Sequence, residues 1–117
     1  MKIGNREFDT EKCTYVMGIL NATPDSFSDG GRYSKVDQAL FRVEEMLDCG
    51  MDILDIGGES TRPGFLPVHW HEECRRVLPI IEEVKRRFDI PVSLDTCKGE
   101  VAKMGIYAGV DMINDVW

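Results

Sequence analysis

Short apolar runs alternate along the chain with amphipathic stretches of helical period, and this alternation constrains the fold more than any other feature. The apolar runs have the length and composition of buried strands. They cover residues 15–21, 52–57, 91–96 and 111–116. The helical patterns cover residues 34–50, 72–88 and 99–108. A strand–helix–strand repeat produces a parallel sheet with helices packed outside it, so we predict an α/β fold with about four parallel strands and three outer helices.

Polar side chains stand at or just beyond the C-terminal end of every predicted strand. These residues are Asn21, Thr61, Arg62, Asp95 and Asn114. The carboxyl ends of parallel strands meet at one edge, where doubly wound sheets and (β/α)8 barrels bind their ligands. The sequence contains neither a G-x-G-x-x-G nor a G-x-x-x-x-G-K-[ST] pattern, which argues against dinucleotide and P-loop nucleotide binding.

The charge and the cysteine spacing restrict the partners and the compartment. The formal net charge of -7 argues against nucleic acid as a partner, because phosphate binding is driven by Lys and Arg. No run approaches the ~18 consecutive apolar residues of a membrane span, and the first residues lack a signal-peptide pattern. The four cysteines are scattered without a C-x-x-C pair, which is typical of free thiols and predicts a cytoplasmic protein.

Two features near the second helical pattern have more than one interpretation. His69 and His71 would suit a zinc site only if carboxylates or cysteines joined them, so we favour a solvent-facing loop. Pro79 lies inside the helical pattern and predicts either a kink or the start of a new helix.

Four stretches of the sequence resemble the signatures of the dihydropteroate synthase family, pterin-binding enzymes of folate biosynthesis. Residues 21–31, NATPDSFSDGG, resemble the first signature, and residues 55–64, DIGGESTRPG, resemble the second. Residues 93–96 and 113–116 resemble the ends of the third and fourth strands of that family. The resemblance extends over residues 15–117 and implies a (β/α)8 TIM barrel.

A complete barrel of this kind needs about 250 residues. The resemblance therefore implies that residues 1–117 form a single partial pterin-binding domain, the N-terminal half of the barrel, truncated after the fourth strand. We expect such a fragment to be inactive alone. We also expect it to self-associate, because a half barrel exposes strand edges and apolar surface.

The resemblance implies a transferase that joins 6-hydroxymethyl-7,8-dihydropterin diphosphate to p-aminobenzoate, giving 7,8-dihydropteroate and pyrophosphate. Asn21 would bind the Mg²⁺ that accompanies the diphosphate, and Thr61 would contact that substrate. Asp95 and Asn114 would hydrogen-bond the pterin ring, whose edge presents both donors and acceptors to a carboxylate and an amide. The resemblance assigns none of these residues a covalent catalytic role.

Two loops would close over the site and help to form the p-aminobenzoate pocket. They contain Phe27 and the pair Arg62 and Pro63. The full-length enzyme is expected to be a homodimer that binds these small molecules and neither nucleic acid nor a membrane.

Other interpretations remain open at the level of sequence. Asp95 could cap the third helix, Asn114 could form a turn, and Asp55 could bond to a neighbouring loop. A methyltransferase on the same pterin-binding barrel, which takes a methyl group from a folate, would use similar strand ends. A non-catalytic half barrel that only binds pterin is a third possibility. The loops at residues 25–31 and 60–64 favour the synthase.

Overall fold

The computed structural model describes residues 2–4, 6–8, 14–23, 34–59 and 68–115. A short antiparallel hairpin, β1 (Lys2–Ile3) and β2 (Arg6–Glu7), comes first. The strands and helices that follow are β3 (Met17–Asn21), α1 (Lys35–Asp48), β4 (Ile53–Gly57), α2 (Trp70–Arg87), β5 (Val92–Asp95), α3 (Gly99–Ala108) and β6 (Met112–Asn114).

The last four strands form one sheet in the order β3-β4-β5-β6, and every neighbouring pair is parallel. The predicted alternation and the parallel sheet are therefore confirmed, with strand ends that differ from the predicted ones by one or two residues. No helix of the described part of the chain is long and apolar enough to cross a membrane.

The two faces of the sheet have different neighbours, because successive side chains of a strand point to opposite faces. The helices cover one face, and their apolar side chains form the core with it. Fully buried members of this core are Val43, Leu54, Ile56, Val77, Val84, Val92 and Leu94. The opposite face, which we call the inner face, carries Ile19, whose side chain is 64% exposed.

The β1–β2 hairpin packs against the N-terminal ends of the strands. Ile3 and Phe8 are buried there against Ile53, and Tyr15 and Met112 contact the same cluster. The hairpin thus covers the end of the sheet opposite to the polar strand ends.

Helix α1 begins where the sequence predicts, since the Asp37 amide donates to Ser34 Oγ across 3.1 Å. The expectation of a loop at His69 and His71 is wrong. His69 is the N-cap of α2 and its Nδ1 atom accepts from the His71 amide at 3.2 Å, so an imidazole takes the place of a short polar cap. Helix α2 runs continuously through Pro79, so no new helix starts there.

Candidate functional site

The parallel register brings three of the predicted site residues into one row at the C-terminal edge of the sheet. Asn21 pairs with Gly57, Gly57 pairs with Asp95, and Asp95 pairs with Asn114. We call these four residues the upper row. Neighbouring strands lie about 4.8 Å apart, so the row extends over roughly 14 Å of the inner face.

The glycine in the upper row leaves space beside a carboxylate. A Cβ atom at Gly57 would lie 3.5 Å from Cβ and 3.6 Å from Oδ2 of Asp95. Any larger side chain at this position would cover the Asp95 carboxyl group. The absence of a side chain therefore leaves room for a ligand edge between Asn21 and Asp95.

A short turn connects the end of β5 to helix α3. The Thr96 amide donates to the Asn114 carbonyl at 3.2 Å, and Thr96 Oγ1 accepts from the Lys98 amide at 3.2 Å. Lys98 is the N-cap of α3 and provides no side-chain cap. Lys98, and not Asp95, therefore occupies the N-cap position of α3.

A second row lies one layer below the upper row on the inner face, and we call it the lower row. It consists of Ile19, Asp55, Ser93 and Met112. Asp55 is only 4% exposed and Ser93 is 0% exposed. Asp55 Oδ1 and Ser93 Oγ have no hydrogen-bond partner within the part of the chain that the structure describes.

Burial raises the pKa of Asp55, and the neighbouring side chains of Ser93 and Asn114 partly oppose the rise. Sequence reasoning gave Asp55 no role in the site and considered only a bond to a neighbouring loop. The period of two in a strand could have indicated that Asp55 belongs to the site. Asp55 precedes Gly57 by two residues and therefore lies on the same face of the sheet.

Four of the predicted site residues, Phe27, Thr61, Arg62 and Pro63, lie outside the described residues. The residues that flank the second loop are described. Glu59 Oε2 accepts from the Val68 amide at 2.7 Å and from Lys98 Nζ at 2.8 Å.

Asn21 is exposed at the end of β3, where its side-chain oxygen can meet a ligand. Mg²⁺ prefers oxygen ligands, usually keeps several waters, and commonly uses one or two protein groups together with substrate phosphates. A single amide oxygen fits that pattern. Among the residues with described positions, no group of three His, Cys, Asp or Glu could hold an ion without such help.

Comparison with known proteins identifies the family. Residues 17–117 match the family described as pterin binding enzyme. The chain belongs to the pterin-binding enzyme family. A curated member of this family, the dihydropteroate synthase of Clostridium beijerinckii, is 57% identical over 117 residues, which are 100% of this chain and 44% of that protein.

Solved structures in the family share the fold. The dihydropteroate synthase of Clostridium difficile, determined in the presence of pteroic acid, matches with a TM-score of 0.89 and 54% identity over 95% of this chain and 42% of that one. The enzyme of Xanthomonas albilineans with 4-aminobenzoic acid matches with a TM-score of 0.86 and 50% identity. The match covers 92% of this chain and 40% of that one. The described strands and helices are therefore half of a pterin-binding (β/α)8 barrel, and the chain spans less than half the length of these relatives.

Proposed function

We propose that the chain is part of a dihydropteroate synthase of folate biosynthesis. In this reaction the amine of p-aminobenzoate attacks the methylene carbon of 6-hydroxymethyl-7,8-dihydropterin diphosphate. A C–N bond forms, the C–O bond to the diphosphate breaks, pyrophosphate leaves, and the amine loses a proton. The observation that carries the proposal is the pairing of Asp95 with Asn114 at the ligand edge of a chain with this family membership.

In this proposal the upper row recognises the pterin ring. The Asp95 carboxylate accepts hydrogen bonds from N–H groups of the ring edge. The Asn114 carboxamide offers a donor and an acceptor on the neighbouring strand. Hydrogen bonds to a charged group are stronger than neutral ones, so Asp95 supplies most of the affinity. The open space at Gly57 admits the ring beside Asp95.

Asn21, at the far end of the same row, is proposed to hold Mg²⁺ against the diphosphate of the substrate. The ion would neutralise charge on the diphosphate and favour its departure. The chain would otherwise meet this anion with a formal net charge of -7. The contribution of the protein groups is to position the two reactants and to stabilise charge, because pyrophosphate is already a good leaving group.

The remaining assignments rest on the family resemblance. Thr61 is proposed to contact the pterin diphosphate, and Phe27, Arg62 and Pro63 are proposed to form part of the p-aminobenzoate pocket. The structure from Xanthomonas albilineans with 4-aminobenzoic acid supports a site for this class of ligand in the family. A homodimer and a cytoplasmic location complete the proposal, and the free thiols of Cys49 and Cys74 are compatible with that reducing compartment.

A methyltransferase of the same barrel family would also use the Asp95 and Asn114 strand ends. The named relatives favour the synthase, since curated proteins 57% and 54% identical to this chain are dihydropteroate synthases. No feature of the described residues favours methyl transfer over the condensation.

A hybrid enzyme tests the proposal. Residues 1–117 would replace the matching part of the Clostridium beijerinckii dihydropteroate synthase, and formation of dihydropteroate from the two substrates and Mg²⁺ would be measured. We expect activity in the hybrid. Replacing Asp95 with Ala should weaken pterin binding roughly tenfold or more, as expected for loss of a hydrogen bond to a charged group.

The matched control is Asp48→Ala, which removes an exposed carboxylate at the end of α1 and should leave pterin binding unchanged. Unchanged pterin affinity in the Asp95→Ala hybrid would remove the central assignment. The 117-residue chain without the rest of the barrel is expected to give no dihydropteroate.

A further inference from the structure

Glu59 and Val68 stand at the two ends of residues 60–67, the segment that carries two of the proposed p-aminobenzoate residues. Glu59 Oε2 accepts a hydrogen bond from the Val68 amide at 2.7 Å. One side chain therefore connects the residue before this segment to the residue after it. A contact that holds both ends of a segment together reduces the number of conformations open to the residues between them.

Lys98 fixes the position of the Glu59 carboxylate. Its ammonium group donates to the same Oε2 atom at 2.8 Å, and the Glu59 side chain is only 9% exposed. The backbone of Lys98 is held in turn, because its amide donates to Thr96 Oγ1 and the Thr96 amide donates to the Asn114 carbonyl, both at 3.2 Å. Glu59 is thus joined to the turn that follows Asp95, on the strand proposed to recognise the pterin ring.

Charge compensation of Lys98 does not explain why a second carboxylate lies here. Lys98 already donates to Oε1 of the buried Glu73 at 2.8 Å, and one carboxylate is sufficient to neutralise one ammonium group. The contact that Glu59 makes and Glu73 does not is the hydrogen bond from the Val68 amide. The backbone beside Glu59 is held as well, since Arg76 Nη1 donates to the Gly58 carbonyl at 2.8 Å.

We propose that Glu59 is a positioning residue for p-aminobenzoate binding, because its carboxylate, fixed by Lys98, holds the two ends of residues 60–67 together. Glu59 acts through the residues of that segment and does not touch the reacting atoms. The pterin ring, which the upper row recognises, binds independently of this contact. The inference rests on the proposed function and adds to it a residue that determines the affinity for one of the two substrates.

The test measures the binding of each substrate in the hybrid enzyme with Glu59→Ala, which removes both hydrogen bonds of the carboxylate. The KM for p-aminobenzoate, at saturating dihydropterin diphosphate, should rise about tenfold, because the binding-competent arrangement is populated for a smaller fraction of the time. The dissociation constant of 6-hydroxymethylpterin, which lacks the diphosphate, should change less than about twofold, as for independent sites. Glu59→Gln keeps the volume and one acceptor oxygen and should raise the KM less than Glu59→Ala.

Glu83→Ala is the matched control. Glu83 also accepts a hydrogen bond from a cationic side chain, that of Arg86 at 2.7 Å, but it lies near the C-terminal end of α2, away from residues 60–67. Both binding constants should therefore keep the values of the unsubstituted hybrid.

A merely structural role for Glu59 predicts lower stability with both binding constants unchanged in the folded hybrid, and that result would overturn the inference. An equal rise in both constants, or a rise in the pterin constant alone, would overturn it too, because the effect would not be specific to p-aminobenzoate. Amide hydrogen exchange provides a second measurement. The Val68 amide should exchange faster in Glu59→Ala than in Glu83→Ala, and equal rates would overturn the inference.

Two further results keep the test decisive. If Glu59→Ala does not fold, the same comparisons are made with Glu59→Gln, which should still raise the KM for p-aminobenzoate and leave pterin binding unchanged. If the unsubstituted hybrid forms no dihydropteroate, the proposed function fails. If the unsubstituted hybrid is active and its KM for p-aminobenzoate does not respond to substitution of Glu59, the positioning role fails alone.

Discussion

The ammonium group of Lys98 lies 2.8 Å from Oε1 of Glu73, a side chain that is only 1% exposed. The same ammonium group lies 2.8 Å from Oε2 of Glu59. One lysine at the start of α3 therefore joins the first turn of α2 to Glu59, the second residue after β4. Among the described residues Lys98 is the ion-pair partner of the buried Glu73, and burial of a charge without a partner is strongly unfavourable.

Replacing Lys98 with Met should lower the free energy of unfolding by about 3 kcal/mol, because Glu73 is left buried without its partner. Denaturant unfolding measures this change. Arg86→Met is the matched control, since Arg86 pairs with Glu83 at an exposed position and should change stability by less than about 1 kcal/mol. Adding Glu73→Leu to Lys98→Met should recover part of the loss. Equal effects of the Lys98 and Arg86 substitutions would contradict this account.

Glu59 should contribute to stability in a pH-dependent way. Burial acts to raise the pKa of Glu59, but the hydrogen bonds from Lys98 and the Val68 amide, with the charges of Lys98 and Arg76, hold it below its ordinary value of 4.5. A carboxyl group with a lower pKa in the folded chain stabilises the fold above its unfolded pKa. That stabilisation is lost as the pH falls from 4.5 through the folded value.

Glu59→Gln should therefore reduce the slope of stability against pH below 4.5, as followed by urea unfolding at several pH values. Glu44→Gln, an exposed position on α1, serves as the control and should keep the slope of the unchanged protein. A Glu59→Gln slope identical to that of the control would show that Glu59 is not held in its ionised form by these contacts.

The two glycines of α3 should respond in opposite directions to alanine. A Cβ atom at Gly105 would overlap Cδ2 of Leu94, whereas nothing lies within 4 Å of a Cβ at Gly99. Gly105→Ala should therefore lower the free energy of unfolding by about 1–2 kcal/mol, because overpacking exceeds the gain in helix propensity. Gly99→Ala should raise it by about 0.5 kcal/mol. Thermal melts of the two variants side by side check the signs, and stabilisation by both would contradict the packing argument.

The isolated 117-residue chain should self-associate through its inner face. Met17 and Ile19 of β3 are exposed there, and β3 is an edge of the described sheet. Exposed apolar side chains beside an unpaired strand edge favour contact with another chain. Sedimentation velocity should show species larger than a monomer, and Ile19→Lys should reduce them. Tyr107→Lys removes an exposed apolar side chain from α3 and should have a smaller effect. A monomer with a cooperative melt would contradict the expectation.

Much of the architecture could be predicted from the sequence. The order of strands and helices, the start of α1 at Ser34 and the extent of α3 all agree with the structure. The start of α2 could not be predicted, because the cap there is an imidazole and histidine is not among the residues preferred at that position. Glycine lowers the stability of a helix interior, so Gly105 is unfavourable by local propensity. The structure shows why it is there, because a Cβ atom at this position would overlap the side chain of Leu94.

The sequence by itself determined the parallel α/β architecture and the edge at which the polar residues lie, because apolar period, capping and turn residues act over a few neighbouring positions. Only the tertiary structure decided which side chains meet. Lys98 and Glu59 are 39 residues apart in the chain and still share a hydrogen bond, and Asp55 lies beside Ser93 only because the strand register places it there. Such contacts depend on register and packing between distant segments, and the local pattern of residues carries no information about either.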